Sequence, residues 1–352
     1  MSPSASSTSP WQEPVRGAHP DPSLLGLSGI EQLRLFFTDR GPPPPITHLM
    51  GMLPTEIGSG SAVFAMPATE WLLAPQNVIS TGVLCALADG PLGCAVQTAL
   101  PAGTLYTTSE LSLRVLSPAR AGGMLTARGS LVQARRTIAL SEVFVQDERG
   151  RLLAHGSSLC FLIPLKHVPP PPEDLPRIEQ PAYDTPDPYQ RPALGEVVGQ
   201  EVWERMSGLE VLQAQIAGEL PEPPIHHLTG LRPTAAGEGS ASFAMPATGW
   251  LAAPPPGRVQ GGCVALIADA AAASAIQTLL PAGTSYAPVD IKVNFLRPAQ
   301  TDGRELLATA RVLHPGRSIM VADAEVTDAD GRLLAVTRSS AIVREGRAAS
   351  LA

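Results

Sequence analysis

Two acids stand where an acid is expensive. Asp89 lies in the run LADGPLGCAVQTALPAGT (87–104) and Asp269 in IADAAAASAIQTLLPAGT (267–284), both otherwise apolar or small. An uncompensated carboxylate in such surroundings costs several kcal/mol, so each needs a purpose. A carboxylate held in a dry setting can act as general base or as nucleophile; it can also simply accept a hydrogen bond at a helix end. Gln97 and Gln277 follow the acids by eight positions and so share nearly the same helix face. Amides there suit backbone groups, or each other across two helices, better than catalysis. His48 and His227 recur before the first strand of each copy, in stretches that read as loops, where packing or hydrogen bonding is the favoured role.

Every one of these residues occurs twice because the chain is a tandem repeat. ITHLMG (46–51) returns as IHHLTG (225–230), FAMPAT (64–69) returns unchanged at 243–248, and GRLLA (150–154) returns at 331–335. Each copy opens with a short amphipathic helix, 29–38 and 208–217. A Gly-punctuated hairpin signal follows at 58–66 and 237–245, then a long helix at 82–100 and 262–280. The long helices are apolar nearly all round, and only a sheet wrapped about them can bury such a surface. The strands for that sheet follow: Val289, Ile291, Val293 and Phe295 alternate with polar residues, as do Leu111, Leu113 and Val115. Copy one adds strand-like runs at 124–132, 137–146 and 152–163. Pro91 is expected to kink the first long helix.

With 352 residues the chain can hold two ordinary domains. We assign a disordered Ser/Pro-rich tail to 1–28, domain one to 29–163, a stiff Pro-rich linker to 164–207, domain two to 208–345 and a short tail to 346–352. The net charge of -7 argues against nucleic acid or an anionic membrane as partner. No apolar run is long enough for a membrane span. Four cysteines without ligand spacing read as reduced core fillers of a cytoplasmic protein, and no metal is implied.

GGCVALIAD, VDIKVNFLRPA and GRLLA resemble the phenylacetate-degradation (PaaI-like) branch of the hot-dog acyl-CoA thioesterases, over 49–163 and 228–343. The resemblance implies an α+β tandem double hot-dog, each half an antiparallel sheet wrapped around a long central helix. It also implies an acyl-CoA substrate bound between the halves, CoA entering only as part of that substrate, with further association of double hot-dogs into a homo-oligomer possible. The family motif is His-Gly-Gly at the helix start with an acid seven positions after the second Gly; Gly82 with Asp89 and Gly262 with Asp269 keep that spacing. Backbone N–H groups and the dipole at a helix start can hold a thioester oxygen as it gains charge. The acid from the partner hot-dog attacks the carbonyl or activates water.

The departures from the motif are unequal. Ser80 and Gln260 stand at the His position, Thr81 and Gly261 at the first Gly. A family hydroxyl that orients the acid or the water matches Thr108 in copy one but Pro288 in copy two. Across the interface, Asp89 and Thr108 with Gln260, Gly261 and Gly262 are therefore expected to form the fuller site. Asp269 with Ser80, Thr81 and Gly82 forms a weakened one, with Asn77 as a nearby amide. Arg136 with Thr137 and Arg317 with Ser318 begin matching strands where the family contacts pantetheine or phosphate, and Arg258 is a further phosphate candidate. A dehydratase on this fold would need a His near the helix start, and none is there. A protein that binds acyl-CoA without turnover is the remaining alternative.

Overall fold

The computed structural model describes residues 8–346 except 176, 179 and 180. The first half runs α1 (Gly29–Arg34), α2 (Pro45–Met50), the hairpin β1 (Leu53–Gly58) and β2 (Ser61–Pro67), then α3 (Thr81–Gln97). It closes with β3 (Thr104–Val115), β4 (Met124–Ala134), β5 (Ile138–Gln146) and β6 (Leu152–Pro164). The second half repeats the order: α4 (Gln200–Arg205), α5 (Gly208–Ile216), α6 (Pro224–Thr229), β7 (Arg232–Gly237), β8 (Ser240–Pro246) and α7 (Gly261–Gln277). Then come β9 (Ser285–Phe295), β10 (Glu305–Pro315), β11 (Ile319–Thr327) and β12 (Leu333–Arg344).

All twelve strands join one sheet in the order β1-β2-β4-β5-β6-β3-β9-β12-β11-β10-β8-β7, antiparallel throughout. The seam is β3 against β9, with Leu111 opposite Val293 and Leu113 opposite Ile291. Six strands curl around α3 and six around α7, so Val83, Leu84, Leu87, Val264, Leu266 and Ile267 are all buried. Each such side chain contributes about 1.5–3 kcal/mol, which explains how helices that lack a polar face persist. Gly29 and Gly208 donate their N–H groups to Leu100 and Leu280 O, and capping boxes at Ser28–Glu31 and Ser207–Glu210 fix the two helix starts.

Several expectations are corrected. The long helices stop at Gln97 and Gln277, four residues ahead of Pro101 and Pro281, which lack the N–H that would bond those last carbonyls. Pro91 lies inside α3, which runs on through it to Gln97 as the expectation of a long helix requires. His48 and His227 sit on the short helices α2 and α6 rather than in loops. The segment 164–207 is not a free stiff linker, and 8–28 is not a loose tail: the two are strapped to the body and to each other. Glu13 takes both guanidinium N–H groups of Arg191 at 2.7 and 2.9 Å, and its carbonyl accepts from Trp250 Nε1. Asp187 accepts from Arg16 at 3.0 Å and meets His48 Nδ1 at 2.9 Å, while His227 Nδ1 meets Ser9 Oγ. Proline content set the backbone of these segments, but their scattered charges and tryptophans decided where they went. Residues 1–7 and 347–352, called tail in the sequence, lie outside the described residues. No helix among the described residues is long and apolar enough to cross a membrane, and all four cysteines are free.

Candidate active site

The two central helices run antiparallel, and each sets its acid against the first turn of the other. Gly82 N–H donates to Asp269 Oδ2 at 2.7 Å, and Gly262 N–H donates to Asp89 Oδ2 at 3.0 Å. First-turn N–H groups have no partner within their own helix, so a carboxylate from outside completes them. The approach depends on glycine. A Cβ on Gly82 would lie 2.6 Å from Leu266 Cα, and one on Gly262 2.5 Å from Ala86 Cα. These glycines are required by the crossing of the helices as well as by the acids they meet.

Burial pushes both carboxyls up, each to about 6, against the pull of the glycine N–H groups. Asp89 has the fuller set of partners: Gly262 N–H, Gly261 N–H and Thr108 Oγ1, the last at 3.5 Å. Asp269 is 3% exposed, and Pro288 offers it no hydroxyl. Among the described residues only its Oδ2 accepts a hydrogen bond, which leaves Oδ1 for an incoming group. Gln260 is buried at the start of α7 and is already occupied. Its Nε2 donates to Ala86 O at 3.2 Å and its Oε1 accepts from Cys263 Sγ, so it ties the helices together. Ser80 caps α3 by accepting from Val83 N–H.

A cavity of about 360 Å³ opens on Asp269, lined on the far side by Ser80 and Thr81 of the other half. Asp89 and Thr108 do not line it, so this cavity belongs to the site expected to be the weaker one. The Asp89 side is not sealed, since Asp89 is partly exposed whereas Asp269 is buried, but the side chains around the two acids differ. Phe295, at the end of β9, brings its ring to 3.5 Å from where a Gly261 Cβ would be. The matching residue of β3 is Val115, which is smaller and leaves its side of the interface open as part of the cavity wall.

Asn77 does not join the site. It is exposed in the turn before α3 and holds a positive φ of 61°, a conformation that Asn tolerates better than most residues. Its neighbour Gln76 lines the cavity instead, donating Nε2 to Gln277 Oε1 at 2.6 Å. Gln97 bonds Gln32 rather than its counterpart Gln277. Arg136, Thr137, Arg317, Ser318 and Arg258 are exposed. Thr108 pairs with Cys160 and Cys160 with Ala139, so the turn carrying Arg136 and Thr137 stands two strands, roughly 10 Å, from Thr108. Pro288, Ala341 and Met320 place Arg317 and Ser318 in the same relation to the second half's strand. Sequence reasoning missed Trp203, Gln215 and His226 on the cavity wall. His226 alone left a signal, as one of the two residues where IHHLTG departs from ITHLMG, the other being Thr229. Among the described residues no three His, Cys, Asp or Glu side chains gather as a metal site.

Two antiparallel sheets, each wrapped around one long helix and joined edge to edge with their acids exchanged, define a tandem double hot-dog protein. The thioesterase superfamily model matches the chain twice, at residues 76–154 and 256–335, once in each half from the approach to the long helix through the start of the last strand. A hot-dog protein of unknown function from Alicyclobacillus acidocaldarius superposes with a TM-score of 0.52 at 14% identity, covering 83% of this chain and 96% of that one. A TesB protein of Mycobacterium avium subspecies paratuberculosis does so with a TM-score of 0.52 at 15% identity, covering 85% and 98%. At these identities the likeness is one of fold. A Halobacterium salinarum protein provisionally named an esterase is 35% identical over 95 residues; the match spans 25% of this chain and 61% of that protein's length.

Proposed function

We propose that the protein is a cytoplasmic acyl-CoA thioesterase of the PaaI-like type, cleaving a thioester to free acid and CoA in the cavity at Asp269. The observation that carries this reading is the hydrogen bond from Gly82 N–H to Asp269 Oδ2 beside an open cavity. It sets a desolvated carboxylate and a helix N-terminus side by side, the pair of groups that thioester hydrolysis needs.

The thioester carbonyl lies against the first turn of α3, where the helix dipole and Thr81 N–H stabilise the negative charge that develops on oxygen, Gly82 and Val83 N–H being taken by Asp269 Oδ2 and Ser80 Oγ. Asp269 takes a proton from water as the water oxygen bonds to the carbonyl carbon. Collapse of that intermediate breaks the C–S bond, and the proton held by Asp269 goes to the departing thiolate. A carboxyl with pKa about 6 is mostly ionised at neutral pH and still basic enough to assist. Arg136 and Arg317 are candidates for the CoA phosphates, as exposed guanidinium groups beside the sheet. The double hot-dog already supplies both partners of the site; association into larger assemblies is compatible with it but not required.

Thiol release from a panel of acyl-CoAs, run on wild type, Asp269→Asn and Asp89→Asn, tests the reading. Asp269→Asn is expected to lose about 10²–10⁴-fold in kcat, while Asp89→Asn stays within about tenfold. The opposite ranking would move the chemistry to Asp89. Binding without turnover by the wild type would make the protein an acyl-CoA carrier.

A further inference from the structure

Beyond Asp269 the cavity is walled on one side by Ala270, Ala273 and Ser274 of α7, and elsewhere by Phe243 of β8 and Tyr286 of β9. Ala273 follows Asp269 by four residues, one helical turn, so it stands on the same helix face about 6 Å farther along the axis. Any part of a substrate that extends from Asp269 in that direction has to pass Ala273 and Tyr286.

The first half has the same parts in a different arrangement. The offset that carries Asp89 to Asp269 also carries Gly93 to Ala273, Cys94 to Ser274 and Tyr106 to Tyr286. A Cβ on Gly93 would lie 2.6 Å from Tyr106 Oη and 3.0 Å from its Cε2, whereas non-bonded carbons rest about 3.5–4.0 Å apart. Tyr106 therefore lies directly on the bare backbone of α3, and Gly93 is buried. Ala273 carries the methyl group that this placement forbids. Tyr286 must stand farther from α7 than Tyr106 does from α3, and Ala273 stays partly exposed. A milder form of the exchange follows each acid directly. Gly90 has the Phe64 ring 3.1 Å from its Cβ position, where the second half has Ala270 and Phe243.

We propose that Ala273 holds the binding channel open beside Asp269: its methyl group bars Tyr286 from the place that Tyr106 takes on Gly93, and the space so left is the space the substrate uses. Ala273 acts through Tyr286 and is a positioning residue. One carbon has this effect because protein interiors are close-packed, and a ring free to settle on a helix backbone gains contact by doing so. Both copies keep the tyrosine, so the difference lies in what the helix sets beneath it. An Ala for Gly exchange in one copy of a tandem repeat thus gives two equivalent acids unequal access.

This inference rests on the thioesterase reading only for what fills the channel, so its first test uses no thioester. Thiols at matching positions report access to the two helices: Cys94 beside Gly93 is native, and Ser274→Cys supplies its counterpart on the cavity wall beside Ala273. Maleimide labelling is read thiol by thiol through peptide mass. Each thiol is compared with itself across variants, because thiolate fraction as well as access sets the rate. Ala273→Gly is expected to slow labelling of the introduced thiol about tenfold as Tyr286 settles on the helix, and Gly93→Ala to speed labelling of Cys94 by a similar factor. Adding Tyr286→Leu to Ala273→Gly should restore the rate, since the ring and not the helix is the barrier. Thermal unfolding identifies any variant that has lost its fold, and the exchange in the other half then carries the comparison. Unchanged labelling in the folded Ala273→Gly protein overturns the proposal. Octanoyl-CoA is next titrated calorimetrically into wild type and Ala273→Gly. A Kd raised about tenfold by the substitution is expected, and an equal Kd overturns the assignment of this space to the substrate. Labelling that shifts as expected, without thiol release by wild type, keeps the role of Ala273 and rejects the thioesterase reading.

Discussion

Asp269 and Gly82 belong to different halves of the chain, yet Gly82 N–H donates to Asp269 Oδ2 at 2.7 Å. Gly262 and Asp89 repeat the relation in the opposite sense at 3.0 Å. Each half therefore completes the helix start of the other, and neither acid has its glycine partner without the second half. Tandem duplication here gives one interface with two unequal sites, since the sequences on its two sides have diverged.

Adding a methyl group at the crossing tests how tightly the two roles of the glycines are linked. Gly82→Ala would put Cβ 2.6 Å from Leu266 Cα, a backbone atom that cannot turn away. Overpacking of this kind costs about 1–3 kcal/mol or more. Gly82→Ala and Gly262→Ala are expected to lower Tm by several degrees, with Gly82→Ala also losing thiol release. At Gly261 the nearest atom is Asp89 Oδ2 at 3.2 Å, so Gly261→Ala should unfold close to wild type. A wild-type Tm for Gly82→Ala would mean that the helices lie farther apart than described.

Both acids have pKa values raised from 3.8 to about 6, with burial the main cause. The folded protein then binds protons between pH 4 and 6 that the unfolded chain has already released, so stability falls as pH rises through that window. For buried Asp269 the difference is roughly 3 kcal/mol. Asp269→Asn is expected to flatten the slope of denaturation free energy between pH 4 and 6. The wild-type kcat should rise with pH to a plateau above about 6, because the ionised carboxylate is the active form. A rate that falls over this range would exclude Asp269 as the base.

The repeat, the buried helices and the meander were all legible in the sequence, because each rests on a local pattern: self-similarity, apolar residues all round, or alternation with period two. The exchange of acids between helices was reached through the spacing of Gly82 to Asp89 and Gly262 to Asp269. Which side of the interface stays open was not legible. Phe295 stands beside Gly261 on the Asp89 side where the smaller Val115 lines the cavity, a difference in volume inside strands that both read simply as apolar. The docking of Glu13 on Arg191 was equally hidden, since a contact between segments 178 residues apart leaves no local pattern. Asn77 is named in the sequence for its place in the loop where the resembled family often carries an Asn or Gln; Asn77 holds φ 61° and is exposed, while Gln76 lines the cavity.

Phe295 stands beside Gly261 and the partly exposed Asp89, and trimming it tests whether its ring limits substrate access to that acid. Phe295→Val copies the residue that stands at the matching position of β3, and its ring lies 3.5 Å from the Cβ position of Gly261, beside Asp89 Oδ2. In the Asp269→Asn background this change is expected to restore thiol release at least tenfold above the single variant, because Asp89 keeps Thr108 and two glycine N–H groups. The lost packing costs on the order of 1–2 kcal/mol, readable as a lower Tm. Adding Asp89→Asn to the double variant should abolish the recovered rate. No recovery in a folded double variant would show that the volume of Phe295 is not what separates the two sites.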